Sequence, residues 1–234
     1  MRAFVIFVLI ALFPAFCWAA QDSGHLAKKN SVAIKPGYHF YPDSDFFDFW
    51  GNDADDLSGF MFELAYEREL NDYLGLEIGL GYFSSKEKYH NVLFLGDSAD
   101  LDIQNTYVSP TLKGYLPLCD YVYLYAGIGP DIYYTYADFD YDSAVLSYSN
   151  DNDEFSLGAH VQGGMEVYLF TEPGAGLYDW PVGLFVEYRY SWVDVEDLDQ
   201  PVVSDVNKSL DTNYGENDLD VGGSQVMMGL RWHF

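Results

Sequence analysis

Apolar and polar residues alternate with a period of two along most of the chain after residue 30. The last segment is the plainest case. Val226, Met228, Leu230, Trp232 and Phe234 fall on one face, and Gln225, Met227, Gly229, Arg231 and His233 on the other. Residues 181–193 set Val182, Leu184, Val186, Tyr188, Tyr190 and Trp192 against Gly183, Phe185, Glu187, Arg189 and Ser191. Residues 73–83 set Leu74, Leu76, Ile78, Leu80 and Tyr82 against Tyr73, Gly75, Glu77, Gly79 and Gly81. Such alternation marks strands whose two faces meet unlike surroundings. It predicts eight strands, at 31–41, 57–70, 73–83, 101–117, 121–136, 154–170, 181–193 and 219–234. Segment 121–136 is the least clear, with large residues on both faces.

The connections have their own rhythm. Those at 71–72, 118–120 and 171–180 are short, and those at 42–56, 84–100, 137–153 and 194–218 are long, in strict alternation. An up-and-down antiparallel sheet with its tight turns at one end produces this pattern. No linker or repeat suggests a second domain.

The first residues have a different character. Arg2 precedes an unbroken apolar run from Ala3 to Phe13, followed by Pro14 and the small-residue end Cys17-Trp18-Ala19-Ala20. The run is too short for a transmembrane helix, which needs about 20 residues. Its layout is that of a secretory signal peptide. Cleavage after Ala19 is expected, which makes residues 1–19 the signal and residues 20–234 the mature domain. Cys119 is then the sole cysteine, so no internal disulfide is expected. No HxxxH, CxxC or HExxH spacing occurs, so neither a zinc site nor any other cofactor is predicted.

Composition narrows the class further. Asp and Glu total 37 against 11 Lys and Arg, a net charge of −26. Nothing is available to neutralise phosphates, so nucleic acid is not an expected partner. With 21 Tyr, 17 Phe and 5 Trp the chain is also too aromatic for an acidic disordered protein.

Alternation alone does not say which face lies inside a closed sheet. Four features favour an apolar face turned outward. Glycines 37, 75, 79, 81, 127, 129, 158, 164, 183 and 229 share the polar face, where an eight-stranded lumen has room for little else. That face also carries both signs of charge. Lys35, Lys113, Arg189 and Arg231 can pair there with Glu63, Glu67, Glu77, Asp131, Glu166 and Glu187. Tyr66, Tyr82, Tyr190, Trp192, Trp232 and Phe234 lie towards strand ends, as interfacial girdles require. Export is the fourth feature. Closure would also satisfy every backbone group in lipid. The fold expected is therefore an all-β, eight-stranded, antiparallel up-and-down transmembrane β-barrel.

On these residues the chain resembles the small outer-membrane β-barrels of Gram-negative bacteria, the OmpW-like and general outer-membrane barrel group. The resemblance rests on Ile34-Lys35-Pro36-Gly37-Tyr38, Leu76-Glu77-Ile78-Gly79-Leu80-Gly81-Tyr82, Tyr123–Gly129, Phe185-Val186-Glu187-Tyr188-Arg189-Tyr190 and Gly229-Leu230-Arg231-Trp232-His233-Phe234. Leu230, Trp232 and Phe234 look like the terminal signal read by the barrel assembly machinery. The resemblance implies residence in the bacterial outer membrane among lipids and lipopolysaccharide. It also implies that any transport concerns small or hydrophobic molecules.

For the interior charges, a fixed ion-pair network filling a narrow barrel is favoured over a gated polar path past Glu77, Glu187, Arg189 and Arg231. The long connections hold more than half of the acids and only three bases, Lys86, Lys88 and Lys208. They form either a solvated repelling surface or a weak site for divalent cations bridging to lipopolysaccharide. Asp138, Asp140 and Asp142 resemble the start of an EF-hand loop, but Ser143 and Ser149 replace the required Gly and Glu. His39, His160 and His233 fall on the polar face, where ordinary lumen packing is expected. No G-x-S-x-G motif occurs, and Ser156 and His160 are about 13 Å apart along one strand. The chain is thus expected to be no enzyme. The primary reading is a barrel passing small or hydrophobic molecules. The alternative is a sealed structural or surface-interaction barrel whose acidic loops bind cations, lipopolysaccharide or a partner.

Overall fold

The computed structural model describes residues 29–41, 58–90, 98–119, 121–142, 147–169, 182–195 and 219–234. Eight strands close into a barrel: β1 (Asn30–Phe40), β2 (Gly59–Asn71), β3 (Leu74–His90), β4 (Ser98–Cys119), β5 (Val122–Asp142), β6 (Ser147–Tyr168), β7 (Val182–Trp192) and β10 (Gly223–His233). Every neighbouring pair is antiparallel, and β1 closes on β10 with Ser31 opposite His233 and Phe40 opposite Ser224. Two short strands, β8 (Asp194–Val195) and β9 (Leu219–Asp220), pair beyond the barrel end. The predicted signal residues 1–19 and the connections around 42–57 and 196–218 lie outside the described residues.

Burial follows the period of two in reverse of a soluble protein. On β3, Gly75, Glu77, Gly79 and Gly81 are buried while Leu76, Leu80 and Tyr82 are exposed. Ile78 keeps 50% of its surface and its neighbour Glu77 keeps none. Segment 121–136 obeys the same rule: Tyr123, Tyr125, Asp131 and Tyr133 point inward, and Leu124, Ile128 and Ile132 outward. Three strands of 11 residues, β1, β7 and β10, match the span of a tilted transmembrane strand, about 9–11 residues.

The glycines set how closely the interior packs. A Cβ at Gly79 would stand 2.8 Å from the Glu63 carboxyl, and one at Gly81 would overlap the Tyr107 ring. Outward tyrosines satisfy their hydroxyls along neighbouring strands: Tyr66 donates to Asn30 Oδ1 at 2.7 Å and Tyr82 to Gln104 Oε1 at 3.3 Å. The β2–β3 turn is made by Asp72 and Tyr73, with the Tyr73 N–H donating to Asn71 Oδ1 at 2.9 Å. Such an Asx turn lets Asn finish a strand.

The central strands run further than the pattern predicts. Much of 84–100 and 137–153, expected to be loops, is strand: β3–β4 pair up to His90 opposite Ser98, and β5–β6 up to Asp142 opposite Ser147. Along 84–90 no apolar stripe announces the pairing, and along 137–142 Ala137, Phe139 and Tyr141 alternate with Asp138, Asp140 and Asp142 in the phase opposite to the outward stripe below. Asp138, Asp140 and Asp142 consequently stand in the extended β5 ladder, not in a loop, though the side chains of Asp140 and Asp142 lie outside the described residues. The segment 219–234 is likewise divided, because the strand is interrupted at Val221 and Gly222 before Gly223 takes a φ of 103°. Val221 and Gly222 both donate their N–H to the Val193 carbonyl there, at 3.0 and 3.3 Å.

Candidate functional site

The lumen is built in tiers, each supplied by inward residues of several strands. At its centre stands Lys35 of β1. Its Nζ lies 2.8 Å from Glu63 Oε1 on β2, 2.8 Å from Glu77 Oε1 on β3 and 3.0 Å from Glu187 Oε1 on β7. The three carboxylates offer oxygens within 4.8 Å of one another, an arrangement with metal-like spacing. The ammonium sits among them and supplies the positive charge a metal would otherwise bring. Arg189 grips Glu63 from above as a fork, Nη1 to Oε2 at 2.6 Å and Nη2 to Oε1 at 3.1 Å, which is the strong bidentate geometry. Its Nε donates to Gln162 Oε1 at 3.0 Å, and Tyr107 donates to Glu63 Oε2 at 2.8 Å.

The tier below turns on Lys113 and Arg231. Lys113 Nζ donates to Glu77 Oε2 at 2.6 Å and lies 3.5 Å from Glu67 Oε2. Arg231 Nη1 bonds Glu67, its Nη2 donates to Glu77 Oε2 at 3.0 Å, and its Nε lies 3.3 Å from Glu166 Oε2. Tyr115 also donates to Glu67. Nine of the ten charged residues predicted for the lumen, all but Asp131, therefore lie in one continuous lattice. Lys35, Lys113, Glu63, Glu77, Glu187 and Arg189 have no exposed surface at all.

Asp131 belongs to a separate group. Its Oδ1 accepts from Ser109 Oγ at 2.5 Å and lies 2.8 Å from His160 Nδ1, while His160 Nε2 lies 2.9 Å from Thr111 Oγ1. With Nδ1–H donating to Asp131, Nε2 accepts from the Thr111 hydroxyl, the hydrogen-bond order of a nucleophile–base–acid triad. All four residues are fully enclosed, and the faces of Gly127 and Gly129 close over them: a Cβ at Gly127 would lie 2.8 Å from Thr111 Cγ2. Sequence reading missed this set because Ser109 and Thr111, Asp131 and His160 come from three strands. Their common inward phase was the one available signal. Gln162, Tyr107 and Tyr115 were missed for the same reason.

Towards the end bearing the long connections the lumen becomes aromatic. His39 stacks on Phe83 with ring centroids 4.1 Å apart, Tyr107 stacks on Tyr133 at 5.1 Å, and Tyr41 packs edge-on against His39 at 4.6 Å. Asn105 donates to the Tyr41 hydroxyl at 3.1 Å and accepts from Thr135 at 2.6 Å. A closed sheet that buries guanidinium and carboxylate groups while exposing Leu, Ile and Val is stable only in a solvent less polar than its own interior. That solvent is a bilayer.

The model of the outer membrane protein beta-barrel domain family matches residues 8–234. The chain belongs to that family. It is thus an outer-membrane β-barrel of the bacterial type. No curated protein sequence matches it. Among solved structures, the outer membrane protein OprG of Pseudomonas aeruginosa is similar in fold, with 17% identity and a TM-score of 0.53 over 91% of this chain and 99% of that one. Neisserial surface protein A (13% identity, TM-score 0.48, 88% and 96% covered) and the attachment invasion locus protein Ail of Yersinia pestis (18%, 0.42, 88% and 99%) are more distant in shape.

Membership gives the exposed face its meaning. Ile78→Arg, at an outward position facing Pro110 across β3–β4, is expected to destabilise the barrel by about 2–4 kcal/mol, the usual cost of Arg near the bilayer midplane. Equilibrium unfolding in lipid vesicles would measure it. A neutral result would mean that Ile78 does not face acyl chains.

Proposed function

We propose that the barrel is a sealed, non-enzymatic outer-membrane scaffold, and that its activity lies on the rim of the long connections. One observation carries this reading: the inward cross-section is occupied by buried, mutually bonded side chains from the Arg231 tier up to the Phe83–Tyr133 layer. A path for solutes past Glu77, Glu187, Arg189 and Arg231 would need these pairs to separate in a low-dielectric interior, and each separation would leave a buried charge unpaired. The enclosure of Thr111, His160 and Asp131 supports the non-enzymatic part, since a triad without access to a substrate acts as a packing tie.

The rim supports a binding role of stated chemistry. In the register, Asp102 of β4 stands opposite Asp138 of β5, which stands opposite Asp151 of β6; Asp100 likewise faces Asp140. Acids directly opposite one another across strands are destabilising. Lys86 relieves one end of the row, with its Nζ 2.7 Å from Asp102 Oδ2. Divalent cations associating with this acidic rim would share their free coordination with the phosphates of lipopolysaccharide. Short turns face the periplasm in this class of barrel, which puts the acidic rim outside the cell.

The test has two parts. The refolded barrel in a planar bilayer is expected to pass no ion current, and Glu187→Gln or Arg189→Gln should not create a graded one. Calorimetry with calcium is expected to give millimolar binding that Asp138→Asn and Asp102→Asn weaken. A steady wild-type conductance altered by the two lumen variants would replace this reading with transport. Absence of calcium heat would remove the cation role.

A further inference from the structure

The turn end of the lumen holds more negative charge than its cations meet. Arg231 and Lys113 are taken up by Glu67 and Glu77, and Arg231 Nε lies 3.3 Å from Glu166 Oε2. Below them a hollow of about 330 Å³, including its solvent mouth, adds Glu69 and Asp72 to Glu166. Among the described residues neither Glu69 nor Asp72 pairs with a Lys or Arg, and no Lys or Arg lines the hollow. Its enclosed depth has room for about one water-sized occupant.

His233 gives the occupant its character. The residue keeps 3% of its surface. Its Nε2 lies 2.8 Å from Glu166 Oε1, whereas Nδ1 is buried with no hydrogen-bond partner and faces Glu69 Oε1 at 4.0 Å. With the Nε2 proton donated to Glu166, Nδ1 and the Glu69 oxygen are two acceptors that lack a common donor. One nitrogen donating to both at about 2.8 Å, the ordinary length for a charged donor, fits between them. A metal does not fit. The two atoms stand too far apart for short coordinate bonds, and no third His, Asp or Glu atom groups with them among the described residues. Water would satisfy the bonds but bring no charge to Glu69 and Asp72. Part of the wall is aromatic, with Tyr123 and Tyr168 edge to face at 5.2 Å and the Tyr168 ring 4.9 Å from that of His233. Tyrosine faces favour a cation over a neutral guest.

We propose that the periplasmic mouth of the barrel binds a primary ammonium group, which donates to His233 Nδ1 and Glu69 and is further balanced by Asp72, with Glu166 fixing the imidazole. An ammonium is about the size of a water molecule, so it fills the closed depth while the carbon chain that carries it leaves through the mouth. A quaternary ammonium has the same charge but is too large and has no N–H to donate. Free amines of the periplasm and the ethanolamine headgroups of lipids share this chemistry, and the test separates them. The site is independent of the acidic rim at the opposite end.

The experiment follows the histidine ring signals of the refolded full barrel by NMR, in phosphatidylcholine nanodiscs at fixed neutral pH, with n-butylamine as the probe. The His233 signal, assigned by its loss in His233→Gln, is expected to move and saturate at millimolar amine while His39 and His160 stay in place. Tetramethylammonium and n-butanol at the same concentration should not move it. Glu69→Gln should weaken the amine by about tenfold or more, the size of losing one hydrogen bond to a charged group. His90→Gln, on the far rim, should leave the response unchanged. Should His233→Gln not fold, the signal that responds in the wild type and fails to respond in Glu69→Gln carries the test. Nanodiscs containing phosphatidylethanolamine identify the source. A His233 signal already at its bound position there assigns the lipid headgroup, and one that still waits for butylamine assigns a periplasmic amine. No movement with butylamine in phosphatidylcholine would mean an ordered water only and would overturn the proposal. So would equal movement with n-butanol or tetramethylammonium, or a response that survives Glu69→Gln.

Discussion

Lys35→Met is expected to be the most damaging single change in the barrel, costing about 3–5 kcal/mol or more of unfolding free energy, the range for breaking a buried ion pair. The ammonium touches three carboxylates at 2.8–3.0 Å, and none of them reaches water. Methionine fills nearly the same volume, so packing loss is small and the change is electrostatic. Glu63, Glu77 and Glu187 would then face one another with no charge at their centre. Two further results separate this account from a general weakening. Adding Glu187→Gln to Lys35→Met should recover part of the loss, because one of the uncompensated charges is removed. Millimolar magnesium should also stabilise the single variant more than the wild type, since three carboxylate oxygens within 4.8 Å suit a hard cation. Denaturant unfolding of vesicle-inserted protein measures all of these. A Lys35→Met barrel as stable as wild type would mean that Arg189, Lys113 and Arg231 compensate the three carboxylates without it.

Arg189→Met should cost a similar amount, about 3–5 kcal/mol, by the same physics applied one tier higher. Its fork satisfies both oxygens of Glu63, and its Nε holds Gln162 in place. Removing it leaves Glu63 with Lys35 and the Tyr107 hydroxyl alone. Because Lys35 and Arg189 share Glu63, the two losses should not add. A double variant less damaged than the sum of the singles is the expected sign of a common network. Arg189→Lys is a sharper probe: it keeps the charge but cannot make the two parallel bonds, so a loss smaller than that of Met but clearly measurable is expected. Strict additivity of Lys35→Met and Arg189→Met would show that the tiers are energetically separate.

Much of this architecture is legible in the order of residues alone. Alternation in 73–83, 181–193 and 219–234 marks strands, and the alternating connection lengths imply up-and-down closure. Glycine and mixed charge on one face turn that face inward. The physical reason is local: a strand between lipid and a packed lumen must change character at every residue, so the environment is written into the chain with period two. The signal changes beyond that zone. Residues 84–90 are mostly polar and 137–142 alternate in the opposite phase, yet the ladder continues through 84–90, 98–100, 137–142 and 147–153.

The inward set of charges is equally legible, but its partners are not. Lys35 lies 42 residues from Glu77 and 152 from Glu187, and no local rule relates such positions. Register decides them. With β1 closing on β10 and β2, Lys35 meets Glu63 directly across the strands, and Asp131 falls beside His160 and Ser109 instead of joining the lattice. The pairing of His233 with Glu166 is of the same kind, since β10 and β6 are not neighbours in the barrel and meet only across the lumen. Period and composition, being properties of single strands in fixed surroundings, were determined by the sequence itself. Which carboxylate meets which cation depends on stagger and closure around the whole ring, and only the tertiary structure decided that.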